Sequence, residues 1–151
     1  MAINNYTLEW DSHSFTTPHK GQVFIELQTP LRFKIRGDYT TNVSSEDFLS
    51  CFYRRAFTLC DLYGESDGEE NSYTNNEIKI ENSQIKWSSD RRYSSRQKVS
   101  MSLGGIIGSF KLVGTFPPFV QALLEFNKIA NAGKNTNFGL GQLDYWTQWE
   151  N

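Results

Sequence analysis

Residues 133–141 read Gly-Lys-Asn-Thr-Asn-Phe-Gly-Leu-Gly and follow a segment with the apolar periodicity of a helix. Glycine permits positive φ and a close approach of the main chain to a ligand, so such a loop can turn several N–H groups toward one point. Lys134 adds a full positive charge to the same stretch. We interpret residues 133–141, the glycine-rich loop, as an anion-binding loop.

The glycine-rich loop does not match the known nucleotide-binding loops. A P-loop needs a glycine where this chain has Lys128, and a hydroxyl residue where it has Asn135. A dinucleotide-binding loop opens a helix after a strand, whereas this loop follows a helix. Nucleotide hydrolysis is therefore disfavoured. The alternative is purely structural: Gly133 ends the helix, and Gly139 with Gly141 forms a bulge in an edge strand.

Charge is distributed unevenly along the chain, although the net charge is only −2. Residues 61–81 carry seven acidic side chains against the single cation Lys79. Residues 86–134 carry eight basic side chains against Asp90 and Glu125. Solvation of a polar face would explain scattered lysines, but a basic excess beside a glycine-rich loop favours a polyanionic partner.

The first regular pattern predicts a long strand. Apolar residues alternate over residues 22–35, and Pro30 is expected to kink the strand. Three cations, Arg32, Lys34 and Arg36, share the other face of this strand. They are either solvated there or follow a phosphate backbone.

The next pattern predicts a helix that begins at Ser44, a good N-cap residue with Asp47 three positions later. The expected buried stripe consists of Phe48, Phe52, Ala56, Leu59 and Tyr63. Arg54 and Arg55 lie within this helix. We expect both arginines on the surface, unless the fold brings them to the glycine-rich loop.

The second half of the chain predicts a hairpin, a helix and a final strand. Two alternating apolar runs flank Gly104-Gly105, which indicates a β-hairpin. Pro118 opens a second helix that we expect to end at Gly133. Its predicted buried stripe is Phe119, Leu123, Phe126 and Ala130. The last strand is expected over residues 138–146.

Residues 78–87 suggest a short strand or arm. The first strand, the first helix, the hairpin, the second helix and the last strand follow the order βαββαβ. This order predicts an α+β, ferredoxin-like fold, in which two helices cover one face of a four-stranded antiparallel sheet. We expect an N-terminal extension over residues 1–21 and one such domain over residues 22–151, with the glycine-rich loop near its end.

Several motifs occur in an order that resembles the C-terminal half of the CRISPR-associated, repeat-processing endoribonucleases of the RAMP superfamily. They lie between residues 22 and 145 and comprise Thr29-Pro30-Leu31, Arg91-Arg92-Tyr93-Ser94-Ser95-Arg96-Gln97, Leu103-Gly104-Gly105 with Gly108, and Gly133-Lys134 with Phe138-Gly139-Leu140-Gly141. The resemblance implies a metal-independent endoribonuclease that binds CRISPR repeat RNA through a glycine-rich loop after the second helix.

The resemblance also has departures. Family members typically carry two ferredoxin-like domains, and the length of this chain fits one. The general acid and base usually come from the other domain, and relatives often have a histidine where this chain has Asn131. We therefore expect the chain to associate with a second ferredoxin-like subunit or with itself. A non-catalytic subunit in an RNA–protein or protein–protein assembly is the alternative function.

The candidate site residues fall into two groups. His13 and His19 are candidates for proton transfer, with exposed loop positions as the alternative interpretation. The expected RNA-binding residues are Arg91, Arg92, Tyr93, Arg96, Lys98, Gly133, Lys134, Phe138, Gly139 and Gly141. No group of histidine, cysteine and carboxylate residues has metal-ligand spacing, so we predict no metal and no cofactor.

The remaining features concern location and thiols. No apolar run could cross a bilayer and the first residues lack the pattern of a secretion signal, so we expect a cytoplasmic protein. Cys51 and Cys60 lie nine residues apart on the predicted first helix, a spacing that suits neither a disulfide nor a metal site. We predict two buried or half-buried thiols.

Overall fold

The computed structural model describes residues 15–64, 77–89, 91–94 and 98–150. Its elements are β1 (His19–Leu31), α1 (Ser45–Tyr63), β2 (Ile78–Ser88), β3 (Arg91–Ser94), β4 (Val99–Ser102), β5 (Gly105–Phe116), α2 (Pro118–Ala130), a 3₁₀ turn (Thr136–Phe138) and β6 (Leu143–Trp149). The main sheet is antiparallel, with strand order β2-β5-β1-β6. The predicted ferredoxin-like fold is confirmed, with β3 and β4 added as a separate hairpin.

The core lies between one face of the main sheet and the two helices. Val23, Ile25 and Leu27 alternate along β1 and are buried. Phe48 of α1 stacks on Phe110 of β5 with ring centroids 4.0 Å apart. In the part of the chain that the structure describes, neither helix combines the length and the apolarity that crossing a membrane requires.

Helix α1 begins as predicted. The Asp47 amide donates to Ser44 Oγ at 3.1 Å, and the Ser44 amide donates to Asp47 Oδ2 at 2.9 Å, which forms a capping box. Its buried residues are concentrated near its start: Phe48, Leu49, Cys51 and Phe52. The predicted stripe is therefore wrong at Tyr63, which is 84% exposed, and Cys60 is exposed rather than buried.

The buried face of helix α2 includes Leu123, as predicted, but otherwise differs from the predicted stripe. Phe119 is 47% exposed, and the buried residues are Val120, Gln121, Leu123, Leu124 and Asn127. The side-chain nitrogens of the two polar members donate to main-chain oxygens: Gln121 Nε2 to Phe116 O at 2.9 Å, and Asn127 Nδ2 to Phe52 O at 3.1 Å. The helix ends at Ala130 with Asn131 at φ 58° as its cap, so the expected end at Gly133 is wrong.

The predicted hairpin at Gly104-Gly105 is also wrong. Strand β4 pairs with β3, whereas β5 pairs with β1 and β2 in the main sheet. Both glycines instead permit a close approach of neighbouring main chains. A Cβ on Gly104 would lie 2.6 Å from Ser88 O, and one on Gly105 would lie 2.7 Å from Leu31 O.

The first and last strands also differ from their predicted limits. Strand β1 ends at Leu31, and the next residues form a turn in which Ile35 and Asp38 exchange main-chain hydrogen bonds of 2.9 and 3.0 Å. The cations Arg32, Lys34 and Arg36 therefore lie in this connection rather than on a sheet face. Strand β6 begins at Leu143, after the glycine-rich loop.

Candidate nucleic-acid interface

Three connections meet at one edge of the main sheet. Leu31 at the end of β1 pairs with Ile106 near the start of β5, and Ile106 also pairs with Trp87 near the end of β2. Strand β6 begins at this edge with Leu143. The turn over residues 32–38, the β3–β4 hairpin and the glycine-rich loop therefore emerge side by side. We call this side of the molecule the loop edge.

Arg32 contacts all three connections at the loop edge. Its Nη1 donates to Gly104 O at 2.6 Å, at the base of the hairpin. Its main-chain oxygen accepts the Lys134 amide at 2.7 Å. Its guanidinium carbon lies 4.2 Å from the ring centroid of Tyr39, a cation–π distance. The glycine-rich loop and the hairpin base are thus neighbours through one residue.

Most described amides of the glycine-rich loop donate within the protein. The pairs, amide first, are Lys134–Arg32, Phe138–Asn135, Gly139–Thr136 and Gly141–Pro30, at 2.7–3.0 Å. The Gly133 amide donates to the sulfur of Cys51. The interpretation of the loop as a set of free amides for an anion is wrong for these five groups, because each already has an acceptor.

The glycines of this loop serve two different purposes. Gly141 has φ +77°, and an added Cβ would overlap the main-chain oxygen of Ala132. Gly133 has φ +75°, and its Cβ would lie 2.5 Å from Arg32 O. Gly139 has φ +81°, but a Cβ added there would meet no atom within 4 Å. The structural alternative is also wrong, since neither Gly139 nor Gly141 lies in a strand.

Three side chains of the loop are exposed, those of Lys134, Asn137 and Phe138. Lys134 is exposed, and Phe138 is 39% exposed in the 3₁₀ turn. A charged ammonium and a half-exposed ring are the two kinds of group that bind phosphates and stack on unpaired bases. The loop therefore offers side chains, rather than amides, to a ligand.

A cavity of about 320 Å³ lies between α1, the start of the 32–38 turn and the glycine-rich loop. We call it the cation pocket, and its lining residues are Phe33, Lys34, Cys51, Arg54, Arg55, Thr58, Gly133 and Lys134. Four of these eight described residues are cations and none is a carboxylate. Arg54 and Arg55 thus meet the glycine-rich loop, which is the condition under which we expected them to matter.

The two arginines of the cation pocket are held differently. Arg55 donates from Nε to Asn131 O and from Nη2 to Ala130 O, both at 3.2 Å, and so caps the end of α2. Arg54 is exposed and donates from Nε to Ser50 O at 3.3 Å, one turn earlier in α1. Burial raises the pKa of the Cys51 thiol to about 12, so the wall of the pocket is uncharged there at neutral pH.

Helical periodicity could place Arg54 and Arg55 on one helix but could not identify what packs beside it. The available signal was their position between Tyr53 and Ala56-Phe57, where two adjacent cations interrupt an apolar and aromatic stretch. For Lys34 the sequence left a phosphate contact open but predicted the wrong position. It was assigned to a sheet face, and the end of β1 at Leu31 moves it to the pocket.

The predicted hairpin residues are only partly described. Arg91 and Lys98 are exposed, at the start of β3 and just before β4. Arg92 and Tyr93 lie in β3, with side chains outside the described part of the structure, and Arg96 lies outside the described residues altogether. The hairpin therefore brings at least two exposed cations to the loop edge.

Of the two candidate histidines, only His19 is described, and it does not join this site. His13 lies outside the described residues. His19 begins β1, stacks on Trp149 at 5.2 Å, and lies within 3.5 Å of Thr17 Oγ1. A strand rises about 3.3 Å per residue, so His19 is roughly 35–40 Å from the loop edge at Leu31. In residues 15–64, 77–89, 91–94 and 98–150, no group of histidines, cysteines and carboxylates could hold a metal.

A family model described as CRISPR-associated endoribonuclease Cas6 matches residues 25–143. The chain belongs to the Cas6 family. The match includes most of β1, all of the loop edge and the cation pocket, and it ends at the first residue of β6. Among curated proteins, none matches the sequence of this Cas6-family chain.

Solved Cas6 structures share its fold. A Cas6 product complex aligns with TM-score 0.52 at 15% identity, covering 87% of this chain and 55% of that one. A second Cas6 product complex gives 0.53 at 11% identity, covering 86% and 53%. A partial Cas6-RT-Cas1–Cas2 complex gives 0.56 at 14% identity, covering 87% and 23%. The chain thus spans about half the length of the Cas6 structures it matches, and at such identities the likeness concerns the fold.

Proposed function

We propose that this Cas6-family chain is the RNA-binding domain of an endoribonuclease that processes CRISPR repeat transcripts into guide RNAs. The observation that supports this function best is the loop edge, where cations from the 32–38 turn, the hairpin and the glycine-rich loop adjoin. Solved structures of this family include a product complex and a substrate mimic complex. We assign the domain to residues 22–151, preceded by an extension over residues 1–21.

The loop edge suits an RNA backbone on electrostatic grounds. Lys34, Arg91, Lys98 and Lys134 are exposed cations of this edge, and each can neutralise one phosphate. Phe138 supplies a half-exposed ring for an unpaired base. Because neutralised phosphates release counterions, binding to repeat RNA should weaken steeply as salt is raised.

In this proposal the described part of the chain binds RNA. Cleavage without a metal also requires a general acid and a general base, which the described loop edge does not provide. RNA cleavage needs a base at the 2′-hydroxyl and an acid at the leaving oxygen. The loop edge offers arginines and lysines, which stabilise phosphate charge but are poor proton carriers at neutral pH. We therefore propose that a second ferredoxin-like subunit, or His13 of the N-terminal extension, supplies proton transfer.

The function is tested by the affinity for a CRISPR repeat RNA at several salt concentrations. Arg91→Gln should weaken binding roughly tenfold and reduce the salt slope by about one, because it removes one phosphate contact. Phe138→Ala should weaken binding by about 1–3 kcal/mol with an unchanged slope, because stacking carries no charge.

Lys79→Gln is the matched control, since Lys79 is exposed on β2 and pairs with Val113, far along the sheet from the loop edge. It should leave both affinity and slope near the wild-type values. No RNA binding by the folded wild-type chain at low salt, or equal binding by all four proteins, would refute the proposed function.

A second candidate function, assembly with another protein subunit, is favoured by the open face of the sheet. Phe24 and Trp146 are register partners there and stack at 5.4 Å with planes 4° apart, and Trp146 is 54% exposed. Exposed large aromatics are enriched in protein interfaces. If this face pairs with a second copy, light scattering should give a dimer mass for the wild type and a monomer mass for Trp146→Ser. A monomer mass for both would exclude self-association.

A further inference from the structure

We propose that the cation pocket binds one phosphate group, supplied by the backbone of the RNA. The inference rests on the proposed function and adds a specific subsite to it. The site lies on α1 and the turn after β1 as much as on the glycine-rich loop, so the loop motif alone does not define it.

Charge is the first reason for this assignment. Lys34, Arg54, Arg55 and Lys134 come from three segments that are distant in sequence, and they converge on one cavity. Like charges repel, so four cations without a lining carboxylate among the described residues raise the energy of the unoccupied pocket. An anion removes this repulsion. A phosphate group has the charge and the several acceptor oxygens that such a set of donors requires.

Size and surroundings narrow the ligand further. A volume of about 320 Å³ corresponds to roughly ten water molecules at ~30 Å³ each, which accommodates a phosphate and its sugar but not a duplex. The buried ring of Phe33 and the neutral thiol of Cys51 form the apolar side of the cavity. Ionic contacts next to apolar groups are screened less than contacts in open solvent.

The donors of this subsite are side chains. The amides of Gly133 and Lys134 already donate to Cys51 and to Arg32, so neither is available to an oxyanion. Arg55 is held by two main-chain oxygens and provides a fixed charge at the end of α2. Arg54 carries five guanidinium donors, of which the bond to Ser50 uses one. Arg54 is therefore the residue best placed to bind phosphate oxygens in a bidentate manner.

The first measurement uses repeat RNA with the charge-matched variants Arg54→Gln and Lys79→Gln, and with Arg54→Lys. Arg54→Gln should weaken RNA binding roughly tenfold and lower the salt slope by about one. Arg54→Lys should recover the slope but only part of the affinity, because lysine keeps the charge and lacks the planar fork. Wild-type affinity in Arg54→Gln would overturn the proposal.

The second measurement follows amide resonances while inorganic phosphate is added in the absence of RNA. Signals of Gly133 and Lys134 should shift in the wild type and in Lys79→Gln, and should not shift in Arg54→Gln. Absence of shifts in the wild type, or equal shifts in Arg54→Gln, would overturn the phosphate site. Thermal melting of each variant confirms that the fold is intact.

The two proposals fail in distinguishable ways. If Arg91→Gln weakens RNA binding and Arg54→Gln does not, the RNA-binding function stands and the pocket is not a subsite. If phosphate shifts the pocket signals but the wild type binds no RNA, the proposed function fails. In that case the pocket binds a free phosphate compound, and the RNA backbone is excluded as its source.

Discussion

Glycine occurs both at the two ends of the glycine-rich loop and at its tip. The end glycines are packed against main chain, whereas the tip glycine is open to solvent. At the ends, Gly133 and Gly141 have main-chain oxygens where a Cβ would be, and their amides donate inward. At the tip, Gly139 is open and Phe138 is exposed. Glycine is needed at the ends for space and at the tip only for its positive φ. A glycine-rich motif can therefore serve mainly to hold the main chain in place, with only a short exposed tip.

The ends of the glycine-rich loop are hydrogen-bonded to the residues at the end of β1. The Gly141 amide donates to Pro30 O, Lys134 donates to Arg32 O, and Ala132 donates to Gly141 O. The first two bonds join the α2–β6 connection to the end of β1 and to the residue after it, and the third closes the connection on itself. These hydrogen bonds hold Lys134 next to Arg32. Arg32 in turn contacts the base of the hairpin through Gly104 O.

The largest expected effect follows from Gly141→Ala. The new Cβ would overlap the Ala132 oxygen at φ +77°, so the loop must open or the main chain must move. Left-handed strain and overpacking together should lower the free energy of unfolding by about 3 kcal/mol or more. Urea unfolding followed by circular dichroism measures this change.

Gly139→Ala is the control for that prediction, because it shares the positive φ and lacks the overlap. It should cost about 1 kcal/mol, and Gly139→Asn should cost less, since asparagine tolerates the left-handed region. Equal losses in Gly141→Ala and Gly139→Ala would mean that the ends and the tip do not differ as described.

Local signals in the sequence predicted the order of elements and the start of α1. Alternation and capping depend on neighbours in the chain, and Ser44 with Asp47 forms the expected capping box. The buried face of α2 was not predictable in the same way, because Phe119 and Val120 are both apolar and adjacent. The buried amides of Gln121 and Asn127 fix the register through oxygens of Phe116 and Phe52.

Two features depend on contacts between residues that are distant in sequence, and local patterns could not predict them. Gly104-Gly105 has the composition of a turn, but its glycines allow Ser88 and Leu31 to approach closely. The cation pocket joins Lys34, Arg54 and Lys134, which no local pattern relates. The basic character of the second half was predictable from composition because charge is additive along a chain, whereas the convergence of charges depends on tertiary packing.

The smallest expected effect is a change in the pH dependence of stability, and it concerns Cys51. The thiol of Cys51 accepts the amide of Gly133 at the start of the loop. Burial raises the pKa of this thiol to about 12 in the folded protein, from an ordinary value of 9.0, and it accepts the Gly133 amide. Below pH 9.0 the thiol is protonated in both states, so it adds no pH dependence. Above that pH only the unfolded chain loses the proton, and stability should fall by up to about 1.4 kcal/mol per pH unit.

Urea unfolding between pH 8 and pH 11 would measure this slope, and Cys51→Ala should remove the thiol's part of it. Cys60→Ala is the matched control, because Cys60 lies on the same helix and is exposed; it should keep the wild-type slope. An unchanged slope in Cys51→Ala would mean that solvent reaches the thiol. The inward end of the loop would then be as open as the tip, and the contrast between Gly133 and Gly139 would rest on sterics alone.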